Sequence, residues 1–76
     1  MTDKDKLLSK FGKQLISIRE SKNLSIRELA LRANLEYSQV QRIEKGKVNL
    51  AFTTLIALAD GLDISPTELL NFKFAK

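Results

Sequence analysis

The chain has 76 residues, 43% of them hydrophobic, and a formal net charge of +4, which is enough for one small core and leaves no room for a second domain. It contains neither Cys nor His, so disulfide bonds, cysteine-ligated metal and histidine-based catalysis are excluded. We therefore expect a single domain over residues 1–76 that is stabilised by packing, binds no metal or cofactor and is not an enzyme.

The first predicted helix follows a short charged segment. Residues 1–5 alternate in charge and no apolar run follows them, so we expect neither a signal peptide nor a membrane anchor, and a cytoplasmic location. Apolar residues then recur every three or four positions and form one stripe of a helix over about residues 5–22. The members of this stripe are Leu8, Phe11, Leu15 and Ile18.

The second predicted helix begins at Ile26, because Ser25 and Glu28 have the spacing of a capping box. In this motif the Ser hydroxyl accepts from the Glu backbone N–H, and the Glu carboxylate accepts from the Ser N–H. Asn34 tolerates the left-handed conformation that commonly ends a helix, and Leu35 can fold back onto the core. The residues predicted to face inward are Leu29, Ala30 and Ala33.

Three further helices complete the predicted all-α fold. Helix three covers about residues 37–45 and stops at Gly46, and helix four covers about residues 52–61 and stops at Gly61. Helix five begins with a second capping box at residues 65–68, has Pro66 at its first position and continues to about Asn71. No segment alternates long enough to form a sheet. The fold class is therefore five helices without strands.

The short break at residues 34–36 predicts a helix-turn-helix over about residues 25–46, in which the second helix protrudes. A duplex major groove is about 12 Å wide and admits one helix, whose N-terminal residues reach base edges. Protrusion explains why the first turn of helix three is polar, while Val40 and Ile43 face the core. The predicted base contacts are Tyr37, Ser38, Gln39, Gln41 and Arg42.

Positive charge is concentrated in the same part of the chain. Residues 1–47 contain 11 Lys or Arg against 6 Asp or Glu, whereas residues 48–76 contain 2 against 3. A basic half beside a near-neutral half is typical of a protein that contacts a polyanion with one side. The alternatives stay open, because mildly basic domains are common, polar residues on a helix can form an ordinary solvated face, and the Tyr37 ring could cover Leu35.

The run LSIRELALRANLEYSQVQRIEKGK at residues 24–47, followed by TLIALADGLDISPTELL, resembles the helix-turn-helix family of phage repressors, Cro proteins, xenobiotic-response-element-like bacterial regulators and restriction-modification controller proteins. The resemblance covers about residues 11–70. It implies a lambda-repressor-like fold and a sequence-specific regulator of transcription that binds double-stranded DNA as a homodimer on a palindromic operator. A repressor or a controller protein is the leading interpretation.

The resemblance also implies roles for individual residues. Arg19 and Glu44 match positions that form a largely buried ion pair. The implied phosphate contacts are Ile26, Arg27, Lys45, Lys47 and Asn49. Two positions depart from the family pattern. Ile26 stands where many members have Gln, which leaves only its backbone N–H and the helix dipole for a phosphate, and Glu36 stands where many have a small capping residue. Each cationic phosphate contact has an alternative. Lys45 and Lys47 could serve only to interact favourably with the dipole at the end of the preceding helix, and Arg27 could serve only to keep the surface soluble.

The end of the chain has more large apolar residues than a small core needs. Leu69 is expected to close the core, and since family members often dimerise through the last helix, the predicted dimer interface is Leu70, Phe72 and Phe74. Closure of the core by all of them is the alternative. The runner-up function is a protein-interaction module, such as an antitoxin that binds DNA only with its partner, although no long arm is present to wrap one. No ligand domain is apparent, so no small-molecule ligand is expected.

Overall fold

The computed structural model describes residues 3–74, so the expectations for residues 1–2 and 75–76 lie outside the described residues. The described segment forms five helices in the predicted order and contains no strand, which confirms the all-α fold class. No described helix is both long enough and apolar enough to cross a membrane. The helices are α1 (Lys4–Ser21), α2 (Ile26–Ala33), α3 (Tyr37–Glu44), α4 (Phe52–Leu62) and α5 (Pro66–Leu69).

Local capping explains where α1 and α2 begin. The Asp3 carboxylate accepts from the Lys6 backbone N–H at 3.2 Å, so α1 begins one residue earlier than predicted. The predicted capping box of α2 is confirmed, with the Glu28 N–H donating to the Ser25 hydroxyl at 3.0 Å and the Ser25 N–H donating to the Glu28 carboxylate at 2.8 Å. Each cap provides a partner for an N–H group that the first helical turn leaves free.

The turn between α2 and α3 has the predicted geometry. Asn34 adopts the left-handed conformation with φ 59° and ends α2, and α3 begins at Tyr37. Glu36 occupies the N-cap of α3 without any side-chain capping hydrogen bond. Gly46 follows α3 with φ 73°, and its N–H donates to the Ile43 carbonyl at 3.0 Å. A residue with a Cβ is strained at this φ, so glycine suits the sharp stop after α3.

The predicted ends of α4 and α5 are wrong. Helix α4 continues through Gly61 to Leu62 and stops at Asp63, which has the left-handed φ of 58°. Gly61 is buried instead, and a Cβ there would lie 3.1 Å from the Ala33 Cβ, so its small size serves the contact between α4 and α2. Helix α5 ends at Leu69, two residues earlier than predicted, because the chain turns and the Phe72 N–H donates to the Leu70 carbonyl at 2.9 Å.

The core is formed by all five helices. Val40 and Ile43 are completely or almost completely buried, so α3 is held by the face opposite to its polar residues. A well-packed core resists displacement of any one element, which gives α3 a defined position on the surface of the domain. The largest fully buried side chains are Leu15, Leu29, Val40, Ile43, Leu58, Leu62 and Leu69.

Candidate nucleic-acid interface

The outer face of α3 is centred on Ser38 and Arg42. An α-helix turns by about 100° per residue, which places each of these two residues about 160° from buried Val40. Both are exposed. Gln39 and Gln41 lie about 100° from Val40 on opposite sides of the helix and are half-buried. These four side chains therefore form one continuous polar surface with Ser38 and Arg42 at its middle.

Tyr37, the fifth predicted base contact, is placed differently. It lies about 60° from Val40, nearer the core side of α3 than the outer face. Its side chain is 40% exposed, and the Arg27 guanidinium carbon lies 4.9 Å from the centre of its ring. This separation is within the range of a cation–π contact. The first residue of α3 is thus in contact with the second residue of α2.

The structure brings Arg19 and Glu44 together behind α3. The guanidinium donates from Nε to Oε2 at 2.6 Å and from Nη2 to Oε1 at 3.2 Å, while Nη1 donates to the Leu24 carbonyl at 2.8 Å. The two side chains are only 11% and 5% exposed. The hydrogen bond to Glu44 raises the pKa of Arg19 above its ordinary value. This bidentate pair joins the end of α1, the loop before α2 and the last turn of α3.

The N-terminus of α2 carries one apolar and one cationic side chain. The Ile26 side chain is half-buried and packs against the core. Arg27 is exposed. N–H groups in the first turn of a helix lack intrahelical partners and favour an anion. Arg32, by contrast, donates from Nε to the Gly61 carbonyl at 2.8 Å and ties α2 to α4.

The loop after α3 contributes a second group of polar residues. Lys45, Lys47 and Asn49 are exposed and line a polar cleft of about 470 Å³ together with Lys4 of α1. Lys4 was not among the predicted phosphate contacts. No signal in the sequence relates the first turn of α1 to a loop some forty residues later, because only the packing of α1 beside α3 brings them together.

An apolar patch lies at the C-terminal end of the described chain. Leu70 is 39% exposed and Phe74 is 50% exposed, while Phe72 is half-buried with its ring centre 4.8 Å from that of Phe74. Phe52 at the start of α4 is 74% exposed and lines the same cleft of about 370 Å³. Sequence reasoning missed Phe52, because its position three residues before Leu55 matches the apolar pattern of α4 and gives no sign of exposure.

The segment that carries this patch is attached to α1 by two side chains. Gln14 Nε2 donates to the carbonyls of Glu68 and Asn71 at 3.1 and 3.2 Å. Lys10 Nζ donates to the Lys73 carbonyl at 3.1 Å. These bonds hold α5 and the chain after it against α1, and therefore position the aromatic pair Phe72 and Phe74.

A capped helix is followed by a sharp turn and then by a short helix that is anchored on one side and polar on the other. This arrangement defines a helix-turn-helix protein. The Helix-turn-helix family matches residues 15–69, and the chain belongs to this family of DNA-binding transcription regulators. The family membership predicted from the sequence is confirmed.

Named relatives include controller proteins of restriction-modification systems. The chain is 33% identical over 73 residues to control protein C.BamHI of Bacillus amyloliquefaciens, a match that covers 95% of this chain and 88% of the relative. It resembles the restriction-modification controller protein C.AhdI from Aeromonas hydrophila with a TM-score of 0.80 and 40% identity, over 82% of this chain and 94% of that one. For the controller C.Esp1396I the TM-score is 0.79 and the identity 30%, over 84% and 83% of the two chains.

Proposed function

We propose that the chain is a homodimeric repressor of the restriction-modification controller type, which acts in the cytoplasm on a palindromic operator. The observation that supports this most directly is the placement of α3. Val40 and Ile43 are buried, and Ser38 and Arg42 point outward from the opposite face. A helix held in this way can enter a major groove with its polar residues leading.

The polar face of α3 has suitable chemistry for reading bases. Arg42 can donate two hydrogen bonds to O6 and N7 of guanine, and Gln39 or Gln41 can bond N6 and N7 of adenine. Ser38 can donate to or accept from either kind of base pair. The position of these residues on one face makes them the proposed base contacts.

Phosphate contacts would flank this face. The backbone N–H of Ile26 and the Arg27 side chain lie at the start of α2, and Lys45, Lys47 and Asn49 follow α3. Each cation that neutralises a phosphate releases bound counterions, so we expect the affinity to fall steeply as the salt concentration rises.

A dimer would form through the apolar patch. Phe52, Leu70 and Phe74 expose large hydrophobic surface around one cleft, and Phe72 supports them. Burial of this surface against a second copy would stabilise a two-fold dimer. Such a dimer would place its two α3 helices about 34–36 Å apart, which demands two half-sites related by symmetry.

Selection from randomised duplexes tests the proposal. The purified chain is incubated with the pool at about physiological salt, and the bound sequences are determined. An enriched motif with two-fold symmetry and half-sites about 10 base pairs apart is expected. A pool without enrichment would overturn the proposed operator binding and direct the search to a protein partner. An enriched but asymmetric half-site would overturn the dimer alone.

A further inference from the structure

Arg27 and Tyr37 are in contact with each other. The sequence predicts a separate DNA contact for each, from the family resemblance for Arg27 and from the helix pattern for Tyr37. The Arg27 guanidinium lies over the Tyr37 ring, 4.9 Å from its centre. Arg27 was expected to meet a phosphate and Tyr37 to meet a base. The guanidinium covers one face of the ring, so that face supports Arg27 and only the edge and the hydroxyl of Tyr37 are left for any other contact.

The direction of Tyr37 on α3 favours the contact with Arg27. Tyr37 lies about 60° around the helix from buried Val40, whereas Ser38 and Arg42 lie about 160° away. The Tyr37 ring is therefore directed to the side of α3 that borders α2, and not to the middle of the polar face. Its 40% exposure leaves the outer edge of the stacked pair open to solvent.

The charge of Arg27 is available for a ligand. In residues 3–74 the ion pair found is Arg19 with Glu44, and Arg27 has no carboxylate partner. The nearest acid in sequence, Glu28, is occupied in the capping box with the Ser25 N–H. Arg27 also lies in the first turn of α2, where the helix dipole and the backbone N–H groups that the capping box does not use attract an anion.

We propose that Tyr37 is a positioning residue, whose ring holds the Arg27 guanidinium at the N-terminus of α2 so that it meets one DNA phosphate. This inference rests on the proposed function and replaces the base contact predicted for Tyr37. A free Arg side chain loses rotamer freedom when it binds. A guanidinium already stacked on a ring loses less, and its position relative to α3 is defined before the DNA arrives.

The contact also couples the two parts of the helix-turn-helix. Arg27 belongs to α2 and Tyr37 to α3, so the pair links the expected phosphate contact to the helix that carries the proposed base contacts. Phosphate contacts set the register of a protein on its duplex and carry no sequence information themselves. Loss of the stack should therefore weaken binding to cognate and random duplexes by the same factor.

Four variants test this role in DNA binding by the full chain: Tyr37→Phe, Tyr37→Leu, Arg27→Ala and the double variant Tyr37→Leu/Arg27→Ala. Tyr37→Phe keeps the ring face and should bind like the wild type. Tyr37→Leu should lower the affinity on every duplex by about two- to fivefold for each half-site occupied, the range of an exposed cation–π contact. Arg27→Ala should also reduce the magnitude of the slope of log affinity against log salt concentration by about 0.9 for each half-site occupied. The double variant should be no weaker than Arg27→Ala alone, since both changes remove one contact.

Other results would overturn the inference. If Tyr37→Phe weakens binding and changes the selected sequence at one base pair, the Tyr37 hydroxyl reads a base. If the losses of Tyr37→Leu and Arg27→Ala add in the double variant, the two residues act separately. Thermal unfolding of each variant shows whether a loss of affinity reflects a loss of fold. Failure of the wild type itself to bind any duplex would overturn the proposed function as well, and is seen before a variant is made.

Discussion

The Arg19 guanidinium donates two hydrogen bonds to the Glu44 carboxylate, at 2.6 and 3.2 Å, across 25 positions of the chain. Glu44 is the last residue of α3, and its side chain is 5% exposed. A carboxylate removed from water in this way is stable only with a paired cation. The position of α3 on the surface therefore depends on a residue of α1.

Substitution of Arg19 by Met should destabilise the domain strongly. It leaves the buried Glu44 carboxylate without its cation and the Leu24 carbonyl without its donor. We expect the free energy of unfolding, measured in urea, to fall by about 3–5 kcal/mol. Arg19→Lys keeps the charge but not the paired geometry, so its free energy of unfolding should lie between those of the wild type and Arg19→Met. Glu20→Gln, an exposed neighbour, serves as control, and a similar small loss in all three would contradict the structural role of the pair.

Gly12→Ala should push α3 away from α1. A Cβ on Gly12 would lie 2.4 Å from the Glu44 carbonyl oxygen, so backbone must move. Overpacking of this kind costs about 1–3 kcal/mol, partly offset by the better helix propensity of Ala. We expect lower stability in urea unfolding and weaker binding to duplex. Ser17→Ala on the exposed side of α1 should show neither effect, and an unchanged Gly12→Ala protein would argue against the close approach of the two helices.

The stability contributed by Glu28 should depend on pH. Hydrogen bonds from Ser25 lower the pKa of Glu28 below its ordinary value of 4.5. Because the folded pKa lies below the unfolded one, the stabilisation is present above the unfolded value and is lost as the pH falls through the folded value. The Tm of the wild type should exceed that of Glu28→Gln near neutral pH, and the difference should vanish in acid.

A matched variant separates the two halves of this capping box. The Ser25 hydroxyl accepts from the Glu28 N–H as a neutral group, so the Tm deficit of Ser25→Ala should persist in acid. A Glu28→Gln deficit that is constant across the whole range of pH would rule out the ionised carboxylate as the stabilising group.

Arg42 and Lys47 should respond differently to the sequence of the duplex. Arg42→Ala should cost about 1–3 kcal/mol on the selected operator and relax the preference at one base pair. Lys47→Ala should weaken binding to operator and random duplex alike and should reduce the magnitude of the slope of log affinity against log salt concentration by about 0.9 for each half-site occupied. Titration of both duplexes at several salt concentrations measures these quantities. Equal losses on both duplexes for Arg42→Ala would overturn its role as a base contact.

Gln14→Leu should weaken the proposed dimer without touching its apolar surface. The side chain donates to two carbonyls of the segment that carries Phe72 and Phe74. The dimer must then order this segment without two hydrogen bonds worth about 1 kcal/mol each, so its dissociation constant should rise by up to about thirtyfold. Sedimentation equilibrium measures the constant, with Lys13→Ala on exposed α1 surface as control. Phe74→Ser, which removes part of the patch itself, should give a monomer, and an unchanged dimer would place the interface elsewhere.

Much of the local structure was determined by short-range interactions that the sequence displays directly. Helical periodicity, the Ser25–Glu28 box, the left-handed Asn34 and the stop at Gly46 each involve residues within about four positions of one another. Such interactions form within a single turn and depend little on the rest of the chain. The five helices, their order and the short break between α2 and α3 were therefore predictable.

Tertiary packing decided what depends on residues far apart in the chain. Gly61 lies within α4, where its small size allows the close contact with Ala33 and its carbonyl accepts a hydrogen bond from Arg32 of α2. The exposure of Phe52 likewise follows from how the helices pack. The pairing of Arg19 with Glu44 is predicted only by the family resemblance. The contact between Arg27 and Tyr37 is predicted neither by that resemblance nor by the helical pattern of the sequence. The physical reason is that helix periodicity specifies which side of a helix is apolar, whereas the partner of each side chain depends on how the helices are assembled.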